Sequence, residues 1–303
     1  MYFTSLPDHA KPGFDEQLHF SRFKKHNIVF NALSSYSHCD NHVGCLSFKT
    51  VLSGEEWYGI NNRKVAVRPG QFLMLNDDQN YSCHIDTGEK VKCLSIFFKK
   101  EFASSVFRDT VSDTGILLDD PFNHDKNTLE FFQNLNSIEP ELQGQLLNLI
   151  TTLDTGDYNN SLMDEQLVFL LHHLIQTHKS EVKHAGKVNA LKVSTQKEVF
   201  KRLCIARDVL HSSYMDNPDL DMLSGVACLS VSQLVMQFKA VFQVTPHQYL
   251  NRFRLERAAE LLKLTDKPVH EITWLCGFEN VSAFCRAFKS MHGVQPVSFR
   301  KCA

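Results

Sequence analysis

The stretch HCDNHVGC, residues 38–45, holds side chains suited to metal chemistry: two histidines, two cysteines and an aspartate. Imidazole, thiolate and carboxylate groups are the usual ligands of zinc in proteins. His38 and His42 are four residues apart, however, which on a strand separates them by about 13 Å. Cys39 and Cys45 do not belong to a CxxC pair. We therefore predict no metal site and no cofactor, and we expect these residues to lie in loops or to fill the core.

The sequence also lacks the local patterns of an enzyme. It contains no GxSxG motif, which would place a serine nucleophile on the sharp turn between a strand and a helix. We predict that the chain is not an enzyme and has no catalytic residues. A triad assembled from residues distant in sequence is an alternative that this pattern leaves open.

The C-terminal half offers a different chemistry, in CGFENVSAFCRAFK, residues 276–289. Phe284 and Phe288 are one helical turn apart and predict a buried stripe. The other side of the same helix carries Ser282, Cys285 and Arg286. Hydroxyl and guanidinium groups on an accessible helix face can hydrogen-bond the edges of DNA bases. The segment therefore predicts a helix that is anchored on one side and binds a ligand on the other.

A related segment occurs fifty residues earlier, which indicates an internal repeat. At this offset the aligned residues keep their chemical type at six of seven positions, and the seventh pair consists of two residues that favour the helix N-cap. The pairs are Ser230/Asn280, Leu234/Phe284, Phe238/Phe288, Lys239/Lys289, Val244/Val294, Pro246/Pro296 and Tyr249/Phe299.

Each copy predicts a helix, a tight turn and a second helix. In the first copy Ser230 and Gln233 form a capping box for the second helix. In the second copy Gly277 supplies the turn and Asn280 the cap. We also expect inward-facing stripes of Leu220, Leu223 and Ala227 in the first copy and of Ile272 and Leu275 in the second.

A long helix is predicted between the copies, in PHQYLNRFRLERAAELLKL. About 18 helical residues span roughly 27 Å, and the major groove of B-DNA returns on the same face about every 34 Å. A stiff connecting helix could therefore hold two recognition helices in successive grooves. Arg252, Arg254 and Arg257 of this helix are candidates for phosphate contacts, although weaker ones than the lysines of the recognition helices. Upstream, Thr195 and Glu198 predict a capping box that opens another helix.

The bulk properties agree with a two-domain globular protein of 303 residues and net charge −2. Residues 1–195 hold 18 Lys and Arg against 24 Asp and Glu, whereas residues 196–303 hold 14 against 10. The basic C-terminal half favours a nucleic acid partner. Nine cysteines without a CxxC pair, no apolar leader and no long apolar run predict a reduced, cytoplasmic protein with no membrane segment.

The N-terminal half predicts short strands followed by two helices. Alternating pairs such as Leu46/Phe48, Val65/Val67 and Leu94/Ile96 indicate half-buried strands. Past residue 120 the period changes to that of helices, with stripes of Leu142, Leu146, Leu149 and Leu153 and of Leu167, Leu171 and Leu174. This helical pair could cover the sheet or pair two subunits. Trp57, Tyr58 and Tyr81 could line a pocket or fill the core.

Residues 200–302 closely resemble the AraC/XylS family of bacterial transcription regulators, most diagnostically in VHEITWLCGFENVSAFCRAFKSMHGVQPVSFRK. The resemblance implies base-reading positions at Ser232, Val235, Met236, Val281, Ser282, Cys285 and Arg286. It implies phosphate contacts at Ser230, Lys239, Asn280 and Lys289. The chain departs from the family pattern where Met236 replaces the usual Arg, where Gln243 replaces the usual Gly, and where Ser224 and Thr273 replace the usual Ala.

The resemblance implies an α+β protein of two domains. VRPGQFLMLND looks like part of a cupin-type barrel, the usual sensor domain of the family. We expect a cupin-like sensor and dimerisation domain with a helical pair at 1–178, a linker at 179–195 and an all-α tandem helix-turn-helix domain at 196–303. The expected function is a DNA-binding transcription regulator, in the family more often an activator, that acts as a dimer with RNA polymerase and responds to a small effector. Two alternatives stay open: a cupin-type metal enzyme with an appended DNA-binding tail, and a regulator whose N-terminal domain binds a protein.

Overall fold

The computed structural model of the chain describes residues 1–7, 14–61, 63–85, 88, 90–111, 130–155 and 160–302. The chain divides into two compact units, Met1–Lys183 and His184–Ala303. The two-domain expectation is therefore confirmed at this level.

The N-terminal unit is rich in strands. Its strands are β1 (Tyr2–Phe3), β2 (Ile28–Ser34), β3 (Ser37–Gly44), β4 (Ser47–Ser53), β5 (Glu56–Ile60), β6 (Arg63–Val67), β7 (Gln71–Leu75), β8 (Gln79–Ile85), β9 (Val91–Phe97) and β10 (Leu135–Ser137). Its helices are α1 (Glu16–Lys25), α2 (Lys100–Val111), α3 (Pro140–Asp154) and α4 (Asn160–Ala185). The strand-rich segments and the helical pair predicted from sequence are thus present.

The strands form two sheets. One has six strands in the order β1-β2-β9-β4-β7-β10, and the other has four in the order β3-β8-β5-β6. Among the described residues, hydrogen bonding does not close these sheets into one barrel. The sheet-rich domain is confirmed, and its cupin-like form stays a prediction.

Helices α3 and α4 cover the six-stranded sheet. The predicted stripes Leu142, Leu146, Leu149 and Leu153 of α3 and Leu167, Leu171 and Leu174 of α4 are buried in one apolar cluster. The same cluster contains the sheet residues Phe48, Phe72 and Ile96. Burial of an apolar stripe is favourable because it removes apolar surface from water. The apolar periodicity in the sequence was therefore sufficient to identify which face of each helix packs on the sheet.

The C-terminal unit is helical. Its helices are α5 (Val193–Ser212), α6 (Leu220–Ala227), α7 (Val231–Phe242), α8 (Pro246–Leu264), α9 (Val269–Leu275), α10 (Val281–His292) and α11 (Pro296–Cys302). The predicted linker at 179–195 includes the end of α4 and the start of α5. Residues 179–184 contain good helix formers without an apolar stripe, so α4 continues through them although no periodicity marks it.

Two local predictions in this unit are wrong. Helix α5 begins at Val193, after Lys192, and not at a Thr195 cap. Leu220 is 39% exposed, whereas Leu223 and Ala227 are buried. Leu220 is the first residue of α6, where Asp219 caps the helix by accepting from the Met222 amide, and its side chain lies outside the buried stripe.

The two predicted helix–turn–helix units are present. Helices α6 and α7 are bent by 82° at their turn, where Cys228 adopts a left-handed conformation. Ser230 and Gln233 form the predicted capping box of α7, and Asn280 caps α10 by accepting from the Ala283 amide at 2.9 Å. Gly277 has a φ of +74° in the second turn.

Among the described residues no single helix has the length and apolar composition to cross a membrane, and the bent pair of α6 with α7 meets that test only when both are taken together.

Left-handed backbone at two glycines allows a matched test of packing in the second unit. A Cβ at Gly277 would lie 2.7 Å from Arg254 Nη2 and 2.9 Å from the Tyr214 carbonyl oxygen, whereas a Cβ at Gly293 would meet nothing within 4 Å. The φ of Gly293 is similar, at +78°. We expect Gly293→Ala to cost about 1–2 kcal/mol from the left-handed backbone alone, and Gly277→Ala to cost at least about 1 kcal/mol more.

The measurement is guanidinium unfolding of both full-length variants, followed by far-UV circular dichroism. Equal losses of stability in the two variants would show that the contact with Arg254 does not constrain the turn.

Candidate nucleic-acid interface

Helices α7 and α10 present equivalent surfaces. Leu234 and Phe238 are fully buried in α7, as are Phe284 and Phe288 in α10. The outward-facing positions of these helices include Ser232, Met236 and Lys239 in α7, and Ser282, Arg286 and Lys289 in α10. The half-buried positions flanking them are Val235 in α7, and Val281 and Cys285 in α10. Every predicted base-reading residue therefore lies on an accessible or half-accessible helix face.

The cations on these faces are available for a ligand. No ion pair or hydrogen bond within the described part of the chain joins Arg286, Lys239 or Lys289 to another side chain. Most arginines of the connecting helix α8 are engaged instead, since Arg252 bonds Glu256 at 2.9 Å and Arg257 bonds Glu260 at 2.6 Å.

The predicted phosphate residues at the helix starts have a local role as caps. The Ser230 hydroxyl accepts from the Gln233 amide at 3.3 Å, and the Asn280 side-chain oxygen accepts from the Ala283 amide at 2.9 Å. Both residues are exposed. Each cap satisfies one of the free amides in the first turn of its helix and fixes where the helix begins. The remaining free amides carry partial positive charge, so each helix start can face an anion.

Arg254 is not a phosphate residue, which corrects the expectation from sequence. It is 4% exposed, and burial lowers the pKa of its guanidinium. Its Nε donates to the Tyr214 carbonyl oxygen at 2.7 Å, and its Nη2 donates to Asn217 Oδ1 at 2.6 Å. The ring of Phe278 lies 5.8 Å from the guanidinium carbon. Arg254 thus joins the end of α5 to the turn of the second unit.

Trp274 is an exposed residue that the sequence analysis did not single out. It lies in α9, is 58% exposed, and meets the ring of His270 edge-on at 5.3 Å. Its position could have been found from the stripe of Ile272 and Leu275, which leaves Trp274 on the outer face. Single exposed apolar side chains are common on protein surfaces, so Trp274 by itself does not indicate a partner.

The N-terminal unit contains a cavity of about 60 Å³ between its two sheets. Tyr58 and Tyr81 line it, as the sequence analysis allowed, whereas Trp57 does not. Of the HCDNHVGC stretch, His38 is exposed and contacts Asp40 at 2.9 Å, and His42 is buried and lines the cavity. Within the described ranges no group of three or more His, Cys, Asp or Glu side chains is arranged to hold a metal ion.

Comparisons with known proteins agree with the geometry of the C-terminal unit. Residues 223–301 match the family model described as a helix-turn-helix domain. The probable transcriptional regulator LumQ of Photobacterium leiognathi is 40% identical over 78 residues, which cover 26% of this chain and 32% of LumQ. A putative AraC-like transcription regulator of Streptomyces lividans is 29% identical over 143 residues, 47% of this chain and 45% of that protein.

A longer match extends across both units. An uncharacterized HTH-type transcriptional regulator of Haemophilus influenzae is 23% identical over 280 residues, which cover 88% of this chain and 89% of the relative. The match to LumQ, in contrast, covers only about a third of the length of LumQ. The helix-turn-helix domain of the C-terminal unit is thus of the AraC type, and the relatives that share it are named transcription regulators.

Proposed function

We propose that this chain regulates transcription by binding a specific duplex DNA sequence through α7 and α10, with the N-terminal domain as a sensor. The observation that carries the proposal is the pair of equivalent exposed faces, each with a cation that forms no ion pair or hydrogen bond with another described side chain. Genomic footprinting of the bound protein tests it and supplies the operator. Binding that is equally tight to unrelated duplexes at physiological salt would contradict sequence-specific regulation.

The two recognition helices differ in the groups that they offer. Arg286 in α10 can donate two hydrogen bonds to guanine, whereas Val235 and Met236 in α7 can contact only apolar groups such as thymine methyls. We therefore propose that α10 makes the firmer base contact and that the operator consists of two unlike half-sites, one for each helix.

Alanine substitution tests this difference. We expect Arg286→Ala to weaken operator binding by about 1–3 kcal/mol and to relax specificity at one base pair. Met236→Ala should cost less, because it loses only apolar contact. Both side chains are exposed, and alanine favours helix, so neither change should unfold the domain. A titration in which Met236→Ala is the more costly variant would reverse the ranking.

Lys239 and Lys289 are proposed to contact phosphates, with Ser230 and Asn280 at the helix starts. Contacts of this kind release condensed counterions, so affinity falls linearly with the logarithm of the salt concentration. We expect Lys289→Ala to weaken binding to all duplexes similarly and to reduce the salt slope by about 1. The matched control is Lys64→Ala, an exposed lysine on β6. An unchanged slope for Lys289→Ala would remove this residue from the phosphate contacts.

The N-terminal domain is proposed to bind a small effector between its sheets and to have the cupin-like form expected of the family. The cavity lined by Tyr58 and Tyr81 supports this proposal. Activation through contact with RNA polymerase is part of it, and a reporter gene placed behind the footprinted operator tests the sign of regulation.

Helices α3 and α4 are proposed to pair two copies of the chain. Their inner stripes cover the sheet, yet apolar side chains also point outward: Leu147 is 55% exposed, Leu162 36%, Val168 39% and Phe169 59%. Leu162 and Phe169 are seven residues apart, which places them on one face of α4. Exposed apolar patches of this kind mark interaction surfaces.

A charge on this face tests the dimer. We expect Phe169→Glu to raise the dimer dissociation constant at least about tenfold, because a buried Phe side chain contributes about 1.5–3 kcal/mol. Leu33→Glu is the control, since Leu33 is 53% exposed on β2. Sedimentation equilibrium gives the constants, and equal behaviour of both variants would place the interface elsewhere.

A further inference from the structure

The cavity of the N-terminal unit lies between side chains of both sheets. The six-stranded sheet contributes Phe30, Lys49 and Phe97, and the four-stranded sheet contributes Glu56, Tyr58 and Tyr81. Five of its fifteen lining residues are Phe or Tyr, and aromatic lining is common in ligand pockets. The lining also includes His19 and His42. Among the described lining residues, Lys49 is the one lysine or arginine and Glu56 the one carboxylic acid, and they belong to opposite sheets.

Lys49 is only 3% exposed. Its Nζ lies 3.6 Å from the centre of the Phe97 ring and 5.6 Å from the centre of the Tyr81 ring. Within the described residues, no carboxylate oxygen lies within the 4 Å of an ion pair. Burial lowers the pKa of this ammonium, because two aromatic faces offset only part of the lost hydration.

Glu56 is 4% exposed, and its Oε2 has no hydrogen-bond partner among the described residues. Burial raises the pKa of the carboxyl group, although the charge of Lys49 and hydrogen bonds from Tyr58 and Cys93 favour the ionised form. The cavity therefore holds a donor and an acceptor that attract each other without direct contact.

Such a pair does little for the fold. A buried charge costs several kcal/mol unless it is paired and hydrogen-bonded, and apolar replacements of buried ion pairs are often neutral or stabilising. A ligand that contacts both groups would satisfy them, so the arrangement is better explained by binding than by stability.

We propose that the cavity binds a small carboxylic acid that also carries a hydroxyl or amino group. Its carboxylate accepts from Lys49 Nζ, and its donor group bonds the Glu56 carboxyl group, so that one molecule connects the two sheets. The volume of about 60 Å³ holds roughly four water molecules at about 15 Å³ each, which suits an acid of about three carbons. This inference rests on the proposed sensor function and names its ligand class.

The test uses the full-length protein and isothermal titration calorimetry with four probes. L-lactate and L-alanine carry both groups and distinguish a hydroxy acid from an amino acid, propionate lacks the donor, and propylamine lacks the carboxylate. We expect lactate or alanine to bind at least tenfold more tightly than propionate or propylamine. Propionate binding as tightly as the better of the two acids would overturn the role of Glu56.

Three variants assign the contacts. Lys49→Met should abolish binding of the acid, and Glu56→Gln should reduce the preference for that acid over propionate at least fivefold. Lys64→Met, an exposed change on β6, should leave binding unchanged. Thermal unfolding of each variant checks the fold. If Lys49→Met unfolds, Lys49→Gln and chemical shifts of the 15N-labelled Lys49 ammonium on addition of acid replace it.

Duplex DNA binding by the same samples separates the two proposals. If no acid binds while duplex DNA still binds in a salt-dependent manner, the ligand class is wrong and the regulator stands. If acid binding survives Lys49→Met, the assigned site is wrong. If the protein binds no duplex at low salt, the proposed function fails, whatever the acids do.

Discussion

The burial of Arg254 is the constraint on which the geometry of the C-terminal domain depends. A guanidinium can leave water only where carbonyl or side-chain oxygens accept its hydrogen bonds. Tyr214 and Asn217, after the end of α5, supply these oxygens, and Gly277 leaves the space on the other side. Because loss of these acceptors would leave a buried guanidinium without its hydrogen bonds, at a cost of about 1–3 kcal/mol or more, the middle of α8 holds both helix–turn–helix units in a fixed relation.

The two recognition faces follow from the core beneath them. Each unit buries a pair of large side chains four residues apart, and the helical period then determines which positions point outward. The caps fix where each helix begins. The scaffold therefore repeats, while the chemistry does not: the same outward position holds Met236 in α7 and Arg286 in α10. The proposed difference between the two half-sites therefore rests on these exposed side chains and not on the fold that carries them.

Local patterns in the sequence were sufficient to predict the helices, the capping box at Ser230 and the exposed faces, because each depends on residues within one or two turns. The burial of Arg254 was not predictable in this way, since its acceptors lie about forty residues earlier in the chain. The pairing of β2 with β9 joins Ile28 to Phe97, so the order of the sheets and the meeting of Lys49 with Glu56 likewise depend on long-range contacts. Sequence identified Tyr58 and Tyr81 as possible lining but missed the charges between them.

The cations of the C-terminal domain are exposed to water, whereas Lys49 and Glu56 of the N-terminal domain are buried. This difference in solvent exposure fits the partner proposed for each domain. Lys239, Lys289 and Arg286 remain hydrated, so keeping them charged costs little, and they gain when counterions leave a polyanion. This electrostatic contribution to the binding free energy acts over a long range and does not depend on the DNA sequence. Lys49 and Glu56 have already lost their water, so only a ligand that meets both at once restores what burial removed. In the two proposals, the buried pair therefore selects one small molecule by shape and charge, whereas the exposed set attracts DNA in general and leaves the choice of sequence to a few base contacts.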